Sequence, residues 1–179
     1  ARVGAVSTDA VSGTAEYAAI LDELKEKSIE ISTTTRFTAS EVVDAMREMG
    51  MAGLSYQETL EGVDDVMKLA AIGALDFGEA ADIATNVLRG FAMPVSELTT
   101  VIDVMAASVT NSNQTIQQMG NTLSYAAPIA SAFGVNLEAV SAATQILANS
   151  GIKASRAGTG LRRILLSLNT PTTAGAKAM

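Results

Sequence analysis

The sequence predicts an all-α fold: an irregular bundle of about eight short helices joined by tight, capped turns. Three observations carry that expectation. The 179 residues are 48% hydrophobic but only 4% aromatic, so alanine, leucine, valine, isoleucine and eight methionines must fill the core. That profile suits close-packed helices better than strands, which favour aromatic and β-branched residues. Apolar residues recur at helical spacing, with no convincing strand alternation. A third signal is a repeated helix start: an apolar residue, a capping hydroxyl or carboxylate, and an acid three residues on.

Taken in order, the first helix is expected over about 14–32. Tyr17, Ile20, Leu21 and Leu24 form one face, and Asp22, Glu23, Lys25, Glu26 and Lys27 lie opposite. The hydroxyl-rich run from Ser32 to Arg36 interrupts it. The second, 39–50, has Thr38 as cap, Glu41 reaching back, and Phe37 and Val42 placed as a hydrophobic staple. The third, 56–72, repeats this plan with Leu54, Ser55 and Glu58, and Gly62 is expected to interrupt it. Leu75, Asp76, Glu79 and Ala80 open the fourth, 77–91. Looser copies at Val95-Ser96, Val135-Asn136 and Ile152 before Ser155 precede helices at 97–110, 137–149 and 156–168. Between them, 114–133 carries Pro128, which should kink or split it.

The apolar leaders at 37, 54, 75 and 95 are 17, 21 and 20 residues apart, and 135 to 152 is another 17. Each interval holds one helix of ordinary length plus a tight connection. Glycines 50, 53, 134 and 151 stand near the junctions, where a left-handed terminating residue is wanted. A helical solenoid shares such spacing. The units lack a common internal pattern, so an irregular helical domain is preferred. The expected organisation is 1–13 as a flexible or linker start, 14–168 as one helical module, and 169–179 as the start of a further segment. The chain opens on Ala-Arg-Val and stops in mid-pattern, and is expected to be a piece of something longer.

Composition also excludes chemistry. Cysteine and histidine are both absent, so there is no disulfide, thiol nucleophile, imidazole base or ordinary zinc site. Net charge is −7, unevenly spread: residues 1–103 carry 18 acids and 7 bases, and 104–179 carry 1 acid and 5 bases. An acidic chain is a poor binder of nucleic-acid phosphates, so no specific nucleic acid is expected. The split could let the halves, or neighbouring copies, attract each other; two ordinary solvated faces of different composition would read the same. The polar stretch Thr110–Thr122 rules out a span of ~20 apolar residues there, and no basic start precedes an apolar run as in a signal peptide.

Four constellations merit weighing. Gly151-Ile-Lys153-Ala-Ser155 followed by Gly158-Thr159-Gly160 has the ingredients of a phosphate loop. Such a loop needs lysine directly after its second glycine and a strand before it; here the preceding segment is helical. A helix joint, with Gly151 as stop, Ser155 as start and Leu161, Ile164, Leu165 and Leu168 as a buried stripe, explains more. Asp64-Asp65 and Glu79 with Asp82 are pairs without histidine or a third acid, and read as solvated faces. Lys153, Arg156, Arg162 and Arg163 form the one concentrated positive feature, a weak candidate for contacting an acidic partner. Otherwise they are the solvent edge of an apolar stripe. Methionines 46, 49, 51, 67, 93, 105 and 119 read mostly as core. No catalytic, cofactor-binding or metal-binding residue emerges, and the chain is not expected to be an enzyme.

Three phrases in succession go further: "TTTRFTASEVVDAMREMGMAGLS", "LAAIGALDFGEAADIATNVLRGF" and "LSYAAPIASAFGVNLEAVSAATQILANSGIKASRAGTGLRRILLSL". From about residue 20 to the end, the chain closely resembles the core region of phage tail tape measure proteins. The resemblance implies a structural virion protein that sets tail length during assembly and leaves ahead of the DNA at infection. It implies tail tube, tail tip or baseplate proteins and further copies of itself as partners. It places the chain in the virion tail, after assembly in the host cytoplasm. A second reading is a membrane-active segment, with the sparsely charged 104–152 inserting into the host envelope. An enzyme with a carboxylate site ranks last.

Overall fold

A computed structural model describes residues 15–35 and 37–169. The expected segments 1–13 and 169–179 lie outside the described residues, except for Asn169, which ends the last helix. Eight α-helices follow one another: α1 Ala15–Thr34, α2 Ala39–Met51, α3 Tyr56–Gly73, α4 Phe77–Phe91, α5 Leu98–Thr110, α6 Ile116–Ala132, α7 Leu137–Asn149 and α8 Ala154–Asn169. A one-turn 3-10 helix, Val95–Glu97, leads into α5. No strand occurs among the described residues. The fold is all-α, as the sequence predicts. The chain divides into two compact units, residues 1–85 and 86–179, with the boundary inside α4.

In the first unit α1, α2 and α3 pack on one another. Ile20, Leu24 and Ile31 of α1, Val42, Met46 and Met49 of α2, and Val63, Val66 and Leu69 of α3 are buried. The capping residues Thr38, Ser55 and Asp76 act as expected. Thr38 accepts the Glu41 amide while the Glu41 carboxylate accepts the Thr38 amide at 2.7 Å; Ser55 and Glu58 repeat the exchange. Asp76 accepts the Glu79 amide at 2.7 Å. Phe37 also sits edge to face on Phe77, ring centroids 5.2 Å apart.

Two expectations fail here. The hydroxyl run does not cut α1 at its start: Ser32, Thr33 and Thr34 remain helical, their hydroxyls donating to carbonyls three residues back. This local back-bonding keeps serine and threonine in a final turn. Nor does Gly62 interrupt α3; it is buried within the helix, where packing offsets the ~1 kcal/mol that glycine costs.

The second unit packs α5 against α7, α7 against α8, and α6 most extensively against α8. Met105, Ile116, Met119, Leu123, Ala126, Ala127, Ala130 and Val140 fill it. Thr115 and Gln118 form a third reciprocal cap, and Asn136 accepts the Ala139 amide. Val95-Ser96 does not act as a start: the 3-10 turn follows Pro94, with no side-chain cap. Pro128 does not split α6, which runs on to Ala132. Pro128 and Ser124, four residues earlier, are both exposed. The helix bond that proline removes thus lies on the solvent-exposed side, where the Ser124 carbonyl stays accessible to water.

One joint recurs. At Gly53-Leu54, Gly134-Val135 and Gly151-Ile152 a left-handed glycine ends the helix, and the next amide reaches back to a carbonyl five residues earlier. This is the Schellman termination. Ala74-Leu75 and Ala92-Met93 make it too, with alanine at φ 51° and 55°. The apolar leader therefore closes one helix and precedes the next. The leader expected at 95 is in fact Met93. Gly50, by contrast, lies inside α2.

Candidate functional site

The joint between α7 and α8 is the part of the chain whose residues most resemble a ligand site. Gly151 has φ 82° and ends α7, and Ile152 closes the turn by donating to the Leu147 carbonyl at 2.8 Å. The helix then starts at Ala154, itself at φ 53°. Ser155 therefore lies inside the first turn and is not the start the sequence predicts.

The two glycines of α8 differ in what surrounds them. A β-carbon at Gly158 would lie 2.5 Å from the Thr122 carbonyl oxygen and 2.9 Å from Tyr125 Cβ. Thr122 Oγ1 shares its proton between the Gln118 carbonyl, 2.9 Å away, and the Ala154 carbonyl, 3.1 Å away. Gly158 is therefore the point where α6 and α8 cross at backbone distance. A carbonyl oxygen there would repel a phosphate. A β-carbon at Gly160 would meet nothing within 4 Å. Close packing, the plainer reading, holds for Gly158 and not for Gly160.

Of the candidate cations, Arg156 and Arg163 come together, lining with Ser155, Thr159 and Gly160 an open cleft of about 370 Å³. Arg162 is exposed one residue round the helix, and Lys153 is half-buried in the joint. No ion pair is found for any of the four among the described residues. The expected apolar stripe of Leu161, Ile164, Leu165 and Leu168 is buried at Leu161 alone, with Leu165 half-buried. Ala157 and Leu161 are 1% and 9% exposed, but Ile164 and Leu168 stand at 52% and 76%. The stripe keeps its helical spacing, while the surface it should cover ends after Leu161.

The paired carboxylates do not assemble. Asp64 meets Lys27 at 2.9 Å and Asp65 meets Lys68 at 2.8 Å, so the adjacent acids serve different lysines. No cluster of three metal-ligating side chains exists among the described residues. Methionines 46, 49, 67, 105 and 119 are core, whereas Met51 is 60% exposed.

Sequence reasoning did not locate a groove between α1 and α3. It is shallow and open, with a volume of about 880 Å³, and is lined by Glu23, Glu26, Lys27, Glu30, Tyr56, Gln57, Leu60 and Glu61. Lys27 bonds to Asp64 and Glu30, at 2.9 and 3.3 Å. The Asp64 hydrogen bond is the main cause that holds its pKa above the ordinary lysine value, against the opposing effect of burial. The signal for this groove was present in the acidic bias of the N-terminal half.

Short, capped helices carrying open charged surfaces are what the described residues present. The chain belongs to the phage-related minor tail protein family, whose model matches residues 25–179. It is 31% identical to the tape measure protein of Pneumococcus phage Dp-1 over 89% of this chain and 14% of that protein. It is 24% identical to the probable tape measure protein of Escherichia phage P2, over 91% of this chain and 20% of the relative. The probable tape measure protein of Clostridium phage phiCD119 is 28% identical over 68% of this chain and 13% of its own length. The chain thus spans at most about a fifth of these relatives. No solved structure matches it.

Proposed function

We propose that this chain is a compact docking module of a tape measure protein, with a structural rather than catalytic role. It serves in the assembly that sets tail length, begun in the host cytoplasm, and leaves the virion ahead of the DNA. Its partners are the tail tube, the tail tip or baseplate, and other copies. The observation that carries this reading is the punctuation of the helices. The longest described helix, α1, has 20 residues, about 30 Å at ~1.5 Å per residue. Left-handed joints then turn the chain after α2, α3, α4, α6 and α7. Such a segment makes a poor ruler and a good knot of surface; the ruling length belongs to other parts of the protein.

The test is an in-frame deletion or duplication of one helix within 39–168 of the phage-borne protein, scored by electron microscopy of tails. Loss of tails is expected. Tails that survive and change length in proportion to the residues removed or added contradict the reading.

Insertion of 104–152 into the host envelope is the alternative. No single described helix is long and apolar enough to cross a membrane, and Met105, Ile116, Met119, Leu123 and Val140 face the core. Insertion would require α5, α6 and α7 to separate first. Dye leakage from liposomes after partial unfolding would favour it; the same lipid-free behaviour before and after unfolding would not.

A further inference from the structure

The uncovered end of α8 is where the fold leaves both apolar area and charge unanswered. Residues 157, 161, 164, 165 and 168 share one face at 3.6 residues per turn. Burial along that face falls from Ala157 and Leu161 through half-buried Leu165 to exposed Ile164 and Leu168. Beside it stand Arg156, Arg162 and Arg163, and the sequence has no acid after Glu138. Residues 86–179 hold three acids (Glu97, Asp103, Glu138) against six bases, a net +3, while 1–85 hold 16 acids and six bases, a net −10.

The α1–α3 groove offers the complement. Glu23, Glu26, Glu30 and Glu61 line it around the apolar bodies of Tyr56 and Leu60. Its lining cation, Lys27, is already held by Asp64 and Glu30. A surface of two aliphatic side chains flanked by three arginines complements, in sign and in apolar character, a groove of two apolar side chains flanked by four carboxylates.

We propose that α8 is a self-association surface: its Ile164–Leu168 end and flanking arginines dock in the α1–α3 groove of a second copy of this chain. The contact joins two different patches, so it is head to tail, and repetition gives a ring or an open filament rather than a closed two-fold dimer. This gives the docking reading above a surface and an occupant. It rests on that reading only for its setting in a tail, because association is measured in solution without a phage.

The experiment is sedimentation velocity on the 179-residue chain over a concentration series. It is run at about 0.01 M salt, where charges act over ~30 Å, and about 1 M, where they act over ~3 Å. Association that grows with concentration at low salt and falls at high salt is expected. A variant carrying R156E, R162E and R163E should be monomeric, as should one carrying E23K, E26K, E30K and E61K. Mixing the two reversed chains should restore a hetero-association. Ile164→Asp should weaken the wild-type contact about tenfold or more. Far-UV circular dichroism checks that each variant is folded, and recovery on mixing does so independently. A chain that stays monomeric throughout overturns the proposal. So does association that survives in each reversed variant alone, or folded reversed variants that ignore each other.

Discussion

The two units are held together by different kinds of bond. In the first, the polar bonds are helix caps, of a kind the second also has at Thr115/Gln118, and an ion pair across α1 and α3, Lys27–Asp64. Reciprocal caps at Thr38/Glu41 and Ser55/Glu58 close helix starts, and large side chains such as Ile31, Met46, Met49 and Leu69 meet between α1, α2 and α3. In the second, helices approach through small residues and bond across long sequence separations. Gln145 Nε2 donates to Ser108 Oγ at 3.0 Å, the Asn113 amide to Asn149 Oδ1 at 3.0 Å, and Ser131 Oγ to the Phe91 carbonyl at 3.2 Å. Gly90, Ala126, Ala127, Ala130, Ala157 and Gly158 supply the close approach. A core of large aliphatic residues tolerates small displacement by repacking, whereas backbones in near contact leave no room for an added methyl group.

That contrast can be broken experimentally, beginning with the close approaches. A β-carbon at Gly90 would lie 2.7 Å from Ala127 Cβ. Gly90→Ala should therefore destabilise the second unit by roughly 1–3 kcal/mol, read as a lower denaturant midpoint with loss of amide protection in α6. Next comes the cap of the first unit. Ser55→Ala removes one side of a reciprocal cap and should cost about 1 kcal/mol, with protection lost first at the Glu58 amide.

The smallest effect is the Lys27 bridge. Its pKa is raised in the fold, so its contribution is fully present below the unfolded lysine value and is lost as pH rises through the folded one. The first unit should soften above about pH 10, by less than ~1 kcal/mol because the pair is partly exposed. Lys27→Met should remove that dependence, as measured by melting temperature from pH 8 to 12.

The same contrast explains what could be read in advance. Caps at Thr38, Ser55, Asp76 and Asn136 and the ends of most helices were legible because both partners of each bond lie within four residues. The Schellman joints at Ala74 and Ala92 were not, because alanine is an unfavoured residue in a left-handed turn and carries no stop signal. Pro128 and Gly62 misled for the opposite reason. Their propensity costs are real, but solvent facing in one case and packing in the other offset them.

At the candidate site, helical spacing was legible in the sequence: Arg156 and Arg163 line one cleft, and Leu161 is buried as expected while Ile164 and Leu168 are not. The sequence could not show that α6 crosses Gly158, or that nothing in the second unit covers Ile164 and Leu168. Both depend on where α6 ends relative to α8, which is a property of tertiary packing. Helical periodicity specifies a face and says nothing about how far its neighbour extends.

The most direct test of the account compares the two glycines that made residues 151–160 look like a phosphate loop. Gly158→Ala and Gly160→Ala are to be unfolded with urea side by side. The crossing at Gly158 predicts a loss of about 2 kcal/mol or more for the first. Open space at Gly160 predicts no loss, and a gain of up to about 1 kcal/mol, for the second. Equal effects at the two positions, or a larger loss at Gly160, would contradict the close crossing of α6 and α8 in the second unit.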